Sequence, residues 1–273
     1  MFRPFSHIEN YDYSHGWDRY ALDYEKLLVK DTVYHLTKEM MHRIVDLEIN
    51  AGTEEFGVLD VNCGTGNDFP FFFDRGWHVT GCDGSRGMLN KAAENYVSHI
   101  KSGKLELYAG LLEDLSSESF KHGSFDLIFS VTGGFSYVDD QQLEKINKLL
   151  KYFLKDDGKM VVAHLNPLCL PEMAYRAIHL QNPFFRMKQK LNVNIKDEDH
   201  TMFLRSPGRL KNIYSKDFGH IKTYPLLALT PPYQTQFRPG KRLLGFFRKL
   251  ERKVLTSSFF TGIADQVVVV CTK

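Results

Sequence analysis

Residues Val58-Leu59-Asp60-Val61-Asn62-Cys63-Gly64-Thr65-Gly66-Asn67 bring an apolar run, a carboxylate and two glycines into one short stretch. The pattern is that of a buried strand ending in an acid, a tight turn and the first turn of a helix. Glycines at such a turn bring main-chain amides close to a ligand. A dinucleotide site would add a third glycine at position 69 to seat a pyrophosphate, and Phe69 stands there instead. The Lys-Ser/Thr pair of a P-loop is also missing. The turn therefore suits a ligand without a pyrophosphate. The next apolar run ends in Asp83, where a carboxylate can accept both hydroxyls of a ribose.

Such residues need a scaffold. Apolar runs at 56–61, 78–82, 104–108, 125–130 and 159–164 read as buried strands, with helical stretches at 84–96 and 140–154. Strands alternating with helices imply a doubly wound α/β fold, its mostly parallel sheet covered on both faces. Before it, Val33, Leu36, Met40, Ile44 and Leu47 recur at helical spacing and stop at Asn50-Ala51-Gly52. An aromatic segment, Tyr11, Tyr13, Trp17, Tyr20 and Tyr24, leads into them. After residue 165 the pattern loosens. Residues 171–190 read as a helix broken at Pro183, 206–218 as another, and 221–229 and 266–271 as closing strands around 240–255. We expect one structural domain. Residues 1–52 form a helical lid, and 53–273 form the body, with substrate-side insertions at about 166–205 and 230–262.

On these residues the chain resembles a class I S-adenosylmethionine-dependent methyltransferase, over about 17–165 and again at 264–271. The resemblance implies a seven-stranded Rossmann-like sheet. The family's Asp-x-Gly-x-Gly-x-Gly turn appears with Asn62 in place of its first glycine, and asparagine tolerates a left-handed backbone better than most residues. By resemblance, Asp60, Asn62, Gly64 and Gly66 hold the amino-acid end of S-adenosylmethionine, and Asp83 holds its ribose. Gly84 and Met88 lie beside the adenine. The segment Gly110-Leu111-Leu112-Glu113-Asp114-Leu115 stands where the family contacts the adenine, so Leu112 and Glu113 join the set. Leu111 replaces an aspartate that often serves there. Ser130 ends the fourth strand, beside the sulfonium. The product is then S-adenosylhomocysteine.

Methyl transfer is an in-line displacement, so the protein's main task is to align the nucleophile, with a base for an oxygen acceptor of high pKa. His164, ending the fifth strand, is the candidate general base and a substrate contact; the alternative is a histidine hydrogen-bonded in the sheet. Phe135 and Tyr137 follow the fourth strand and are expected to shape the acceptor site, with Tyr11 and Tyr13 closing over it. Asp197-Glu198-Asp199-His200 reads as a solvated turn, and no metal is assigned. Residues 238–253 hold seven basic residues and one acid, interleaved with Leu243, Leu244, Phe246, Phe247 and Leu250. This basic amphipathic helix packs on the domain by default; the alternative is peripheral contact with an anionic membrane. The aromatic lid and Phe184-Phe185 point to a small apolar or aromatic acceptor, with oxygen favoured over nitrogen or carbon. The other readings are a cofactor-binding protein without catalysis, and a protein or RNA methyltransferase.

The bulk numbers fit. The 273 residues are 43% hydrophobic and 25% charged, as in an ordinary globular protein, and 13% aromatic. A net charge of +2 gives no basic excess for a phosphate backbone, so no nucleic-acid partner is expected. Cys63, Cys82, Cys169 and Cys271 form no C-x-x-C pair, which fits a reducing cytoplasmic setting. No signal-like or membrane-spanning run is evident, and no obligate protein partner is inferred.

Overall fold

A computed structural model describes residues 2–5, 15–28, 30–50 and 55–273. In chain order, β1 (Arg3–Pro4) precedes α1 (His15–Leu28), α2 (Thr32–Glu48), β2 (Gly57–Val61), α3 (Phe69–Phe73) and β3 (His78–Asp83). Then come α4 (Arg86–Asn95), α5 (Val97–Lys101), β4 (Leu105–Ala109), β5 (Phe125–Ser130), α6 (Asp140–Phe153) and β6 (Leu154–Leu165). The final part contains α7 (Leu170–Ile178), β7 (Lys190–Ile195), β8 (Glu198–Phe203), α8 (Pro207–Tyr214), β9 (His220–Leu226), α9 (Lys241–Val254), α10 (Ser258–Thr261) and β10 (Gln266–Thr272).

The main sheet has the order β1-β4-β3-β2-β5-β6-β10-β9. Every neighbouring pair is parallel except the two made by β10, which runs antiparallel to β6 and β9. Alternate side chains feed two cores, as the pleat requires. Val58, Val79, Leu127 and Val161 join α2, α3 and α4 on one face. Leu59, Ile128, Met160 and Val162 join α6 and α8 on the other. Because β2 and β5 are covered on both sides, they read as continuous apolar runs.

Eight strands, not seven, form the sheet, and the eighth is the two-residue β1 on the edge. Two residues carry no periodicity, so nothing in the pattern announces them. Phe5 fixes the strand. It is buried, its backbone N–H donates to the Ala109 carbonyl at 3.2 Å, and its ring meets Phe120 edge-on at 5.8 Å. A larger departure lies at 171–190. The helix there ends at Ile178, Leu180 turns left-handed (φ 55°), and Asn182 precedes Pro183, which disfavours helix. The following residues form the separate hairpin β7–β8. Its turn, Lys196 and Asp197 with φ of 49° and 70°, is the primed type that matches strand twist. Only Asp197 of the acidic run is in that turn; Glu198, Asp199 and His200 begin β8.

α2 starts at Asp31, whose carboxylate accepts from the Val33 and Tyr34 amides at 2.9 and 3.1 Å. It then buries Val33, Leu36, Met40 and Ile44 in the main core. α2 is thus part of the body, and α1 lies across the carboxyl ends of the strands.

Candidate active site

β2 delivers Asp60 to the carboxyl edge of the sheet almost fully buried, and its Oδ2 has no hydrogen-bond partner. Burial, reinforced by the nearby charges of Asp68 and Asp83, pushes its carboxyl well above the usual range. Asp68 behaves oppositely. Despite its burial, Lys38 at 2.6 Å and His42 at 2.7 Å hold its carboxyl below the ordinary value. The chain then turns through Asn62 (φ 58°), Gly64 (φ 56°) and Gly66 (φ 78°), so the asparagine does take up the left-handed backbone. A Cβ on Gly66 would stand 2.5 Å from the Phe69 ring. Phe69 fills the core, where the third glycine of a pyrophosphate loop would have left space.

Asp83 binds the turn to the end of β3. One carboxylate oxygen accepts from the Gly64 amide and the other from the Ser85 amide, both at 2.8 Å. Burial pushes its carboxyl up to about 6, Asp18 adds to the rise, and the two amides oppose it. Next to β2, the register sets Asp60 opposite Phe129, so Ser130 ends β5 one residue further along. Ser130 and Thr65 are fully buried, and neither hydroxyl has a partner. Gly84 packs against Leu111, whose Cδ2 lies 2.4 Å from where a Cβ would stand. Met88 and Leu112 are buried nearby, whereas Glu113 is exposed.

α1 roofs this edge. Asp18 Oδ1 accepts from Ser85 Oγ at 2.6 Å and from the Gly87 amide at 2.8 Å, which latches α1 to the start of α4. Further along α1, the Tyr24 ring approaches to 3.9 Å of the Gly64 Cβ position. Trp17 meets Tyr137, in the loop after β5, edge-on at 6.0 Å, and His200 of β8 at 6.2 Å. Tyr20 lies 5.7 Å from Trp17 and 5.6 Å from Tyr24; Tyr34 of α2 lies 5.6 Å from Tyr233. Tyr233 in turn lies within electrostatic range of Tyr20, Tyr24, Tyr137 and Asp265. Burial raises the phenol pKa of every one of these tyrosines, so they are neutral and present hydroxyl donors and ring faces. The result is a cluster of tyrosines above the edge of β2 and β5, where an acceptor cleft is proposed below.

Residues 58–158 match a family model described as a methyltransferase domain. Over that stretch the chain is similar to a methyltransferase domain. No curated protein matches it. Among solved structures, a possible histamine N-methyltransferase from Thermotoga maritima superposes with a TM-score of 0.58 at 20% identity, covering 95% of this chain and 99% of that one. An S-adenosylmethionine-dependent methyltransferase from Mesorhizobium loti gives 0.51 at 14%, covering 90% and 100%. Phosphoethanolamine N-methyltransferase 2 from Haemonchus contortus, in complex with S-adenosyl-L-methionine, gives 0.56 at 15%, covering 94% and 57%. At these identities the likeness establishes the fold.

The residues at this edge fit S-adenosylmethionine, the donor that the sequence resemblance implies. Three buried polar atoms without partners, Asp60 Oδ2, Thr65 Oγ1 and Ser130 Oγ, lie along the donor edge. Asp60, buried, and Asp83, half-buried, are both held above the usual carboxyl range, and would suit a ligand that brings an ammonium, a sulfonium and a ribose diol. A cation relieves just such a pair.

The acceptor side departs from the sequence reading. His164 lies wholly inside the core between Phe135 and Tyr214, with Nε2 2.8 Å from the Tyr214 hydroxyl. Burial, helped by the Arg205 charge, lowers its pKa well below the ordinary value. It has no exposed surface from which to take a proton, so the general-base and substrate-contact roles are withdrawn. Phe135 is equally buried and packs in the same core, so it does not line the cleft. Tyr137 does face it. Tyr11 and Tyr13 lie outside the described residues. Sequence reasoning noticed Trp17, Tyr20 and Tyr24 only as an aromatic segment and gave no role to Asp18, Tyr34, Tyr233 or His200. An acid beginning the aromatic helix and a tyrosine after Pro231-Pro232 are the only local signals they carry.

Proposed function

We propose that the domain transfers the methyl group of S-adenosylmethionine to a small aromatic or apolar molecule held in the tyrosine-lined cleft, leaving S-adenosylhomocysteine. The observation that carries this reading is the pair of raised carboxyls, buried Asp60 and half-buried Asp83, at the carboxyl edge, beside the Thr65 and Ser130 hydroxyls that have no partner among the described residues. In it, Asp60 takes the donor's ammonium, Asp83 the ribose hydroxyls, and the glycine turn lets the donor approach the backbone. S-adenosylmethionine supplies an electrophilic methyl carbon when bound. The chain's own contribution is alignment: the neutral phenols of Tyr20, Tyr24, Tyr137 and Tyr233 orient the acceptor and exclude water. With His164 in the core, the reading favours an oxygen acceptor that brings its own acidity, as a phenol does. Four buried free thiols agree with a reducing, cytoplasmic setting.

The test is calorimetry with S-adenosylmethionine, followed by label transfer from methyl-labelled donor to a panel of phenols, aliphatic alcohols and amines. Donor binding in the micromolar range and label on a phenol support the reading. No donor binding at millimolar concentration refutes it. Label on amines alone refutes the oxygen assignment.

A further inference from the structure

α9 has two different sides. Leu244 and Glu251 are buried against the body. The Glu251 carboxylate accepts from the amides of Ala228, Leu229 and Thr230 at 2.8–3.0 Å, and Arg248 and Arg252 pair with Glu39 of α2. Turned away from this contact, Leu243 and Phe246 stay exposed, the latter by 54%. At 100° per residue, Arg242, Lys249 and Lys253 fall in a row directly beside that apolar edge. All three are exposed, and none pairs with an acid among the described residues.

The apolar edge does not end with the helix. Ring centroids run from Phe246 to Phe247 (6.0 Å), Phe237 (5.8 Å), Tyr175 of α7 (6.2 Å) and His179 (4.1 Å). Between α7 and α9 lies a groove of about 490 Å³, walled by Ala174, Ile178, Pro231 and Phe247 among others. Beyond it Ile178 is 78% and Leu180 96% exposed, with Phe184 and Met187 following. A continuous apolar surface of this kind marks an interaction site.

We propose that this face, the exposed edge of α9 with the end of α7, docks on an anionic lipid bilayer. Charge complementarity selects the partner: a row of unpaired cations borders apolar side chains on a chain whose net charge is only +2. The exposure agrees: Ile178 and Leu180 are the apolar side chains of this face most open to solvent. The contact is peripheral, since no helix among the described residues is long and apolar enough to cross a membrane.

Co-sedimentation of the full chain with vesicles tests this, using phosphatidylcholine with phosphatidylglycerol against phosphatidylcholine alone. Binding to the anionic vesicles is expected, falling with salt and much weaker on phosphatidylcholine. Lys249→Gln and Lys253→Gln should each lower the partition coefficient about fivefold, and the pair Ile178→Glu with Phe246→Glu at least about tenfold. None of these positions lies in the donor site, so unchanged S-adenosylmethionine affinity certifies the fold of each variant. Failure of the wild type to pellet at millimolar anionic lipid overturns the proposal, as does pelleting that ignores all four substitutions. A dimer in solution that Phe246→Glu dissociates, without vesicle binding, assigns the face to a second copy and also overturns it.

Discussion

Asp83 offers a measurable link between burial and donor binding. Its carboxyl rises from 3.8 to about 6 in the free protein, a difference equivalent to about 3 kcal/mol against the charged form. For a raised carboxyl the sign is fixed. Stability is fully present below the unfolded value and is lost as pH climbs through about 6, because folding then requires a buried anion. The donor reverses this preference, since its ribose hydroxyls need a carboxylate to accept them and its cationic groups favour a negative site. Bound, Asp83 returns to the ordinary range or below. Donor Kd should therefore rise about tenfold from pH 7 to pH 5, with about half a proton released at this carboxyl near pH 6. Calorimetry in two buffers of different ionisation enthalpy reads that proton directly. Asp60, also held high by burial, releases a proton of its own. The informative quantity is thus the difference between wild type and Asp83→Asn. Asparagine should weaken binding and remove the proton released near pH 6. If Asp83→Asn releases as many protons as the wild type, or wild-type affinity is flat across this range, the ribose assignment fails.

Three further outcomes follow from the geometry. A Cβ on Gly134 would stand 2.4 Å from Asn62 Nδ2, so Gly134→Ala should cost about 1–3 kcal/mol and lower Tm, while Asn62→Gly in the same chain restores much of the loss; additive Tm changes would falsify the coupling. His164→Asn should destabilise by about 1–3 kcal/mol through the Tyr214 hydroxyl, yet leave the pH profile of kcat unchanged, and loss of a limb of that profile would return the histidine to catalysis. Asp18→Ala removes the acceptor shared by Ser85 Oγ and the Gly87 amide; hydrogen exchange should rise across residues 15–28 and donor Kd should increase several-fold, whereas unchanged exchange would mean that α1 is held elsewhere.

The edge that carries the proposed donor site was legible because its signals are local. A parallel strand buried on both faces must be an apolar run, so β2, β3 and β5 declare themselves, and Asp60 and Asp83 stand where those runs stop. Asn62 was readable for its tolerance of a left-handed backbone. The acceptor half depends on chain returning from far away. Nothing near His164 foretells that Tyr214, fifty residues later, covers it from α8. The β7–β8 hairpin was hidden because its turn uses Lys196 and Asp197 without a glycine, and its strands alternate too weakly in burial to announce a core face. Tyr34 and Tyr233 meet only because α2 and the loop after β9 converge at the roof.

Arg205 gives the cleft two unequal jaws. Fully buried, it donates to the carbonyls of Phe135 and Val138 and to Asp140, while its own amide holds the Leu165 carbonyl. The loop bearing Tyr137 is therefore an anvil that cannot yield without leaving a buried guanidinium unpaired, a penalty of several kcal/mol. The opposite jaw is latched to α4 by Asp18 and held to the hairpin by half-exposed contacts, Lys196 to Asp23 at 2.7 Å and Arg19 to the Lys196 carbonyl, which solvent weakens. On the proposed function, catching an acceptor and aligning it would fall to different walls. The α1 wall is then expected to govern how quickly molecules come and go, and the anvil which of them line up for transfer. Substitutions on the two sides should separate turnover from selectivity.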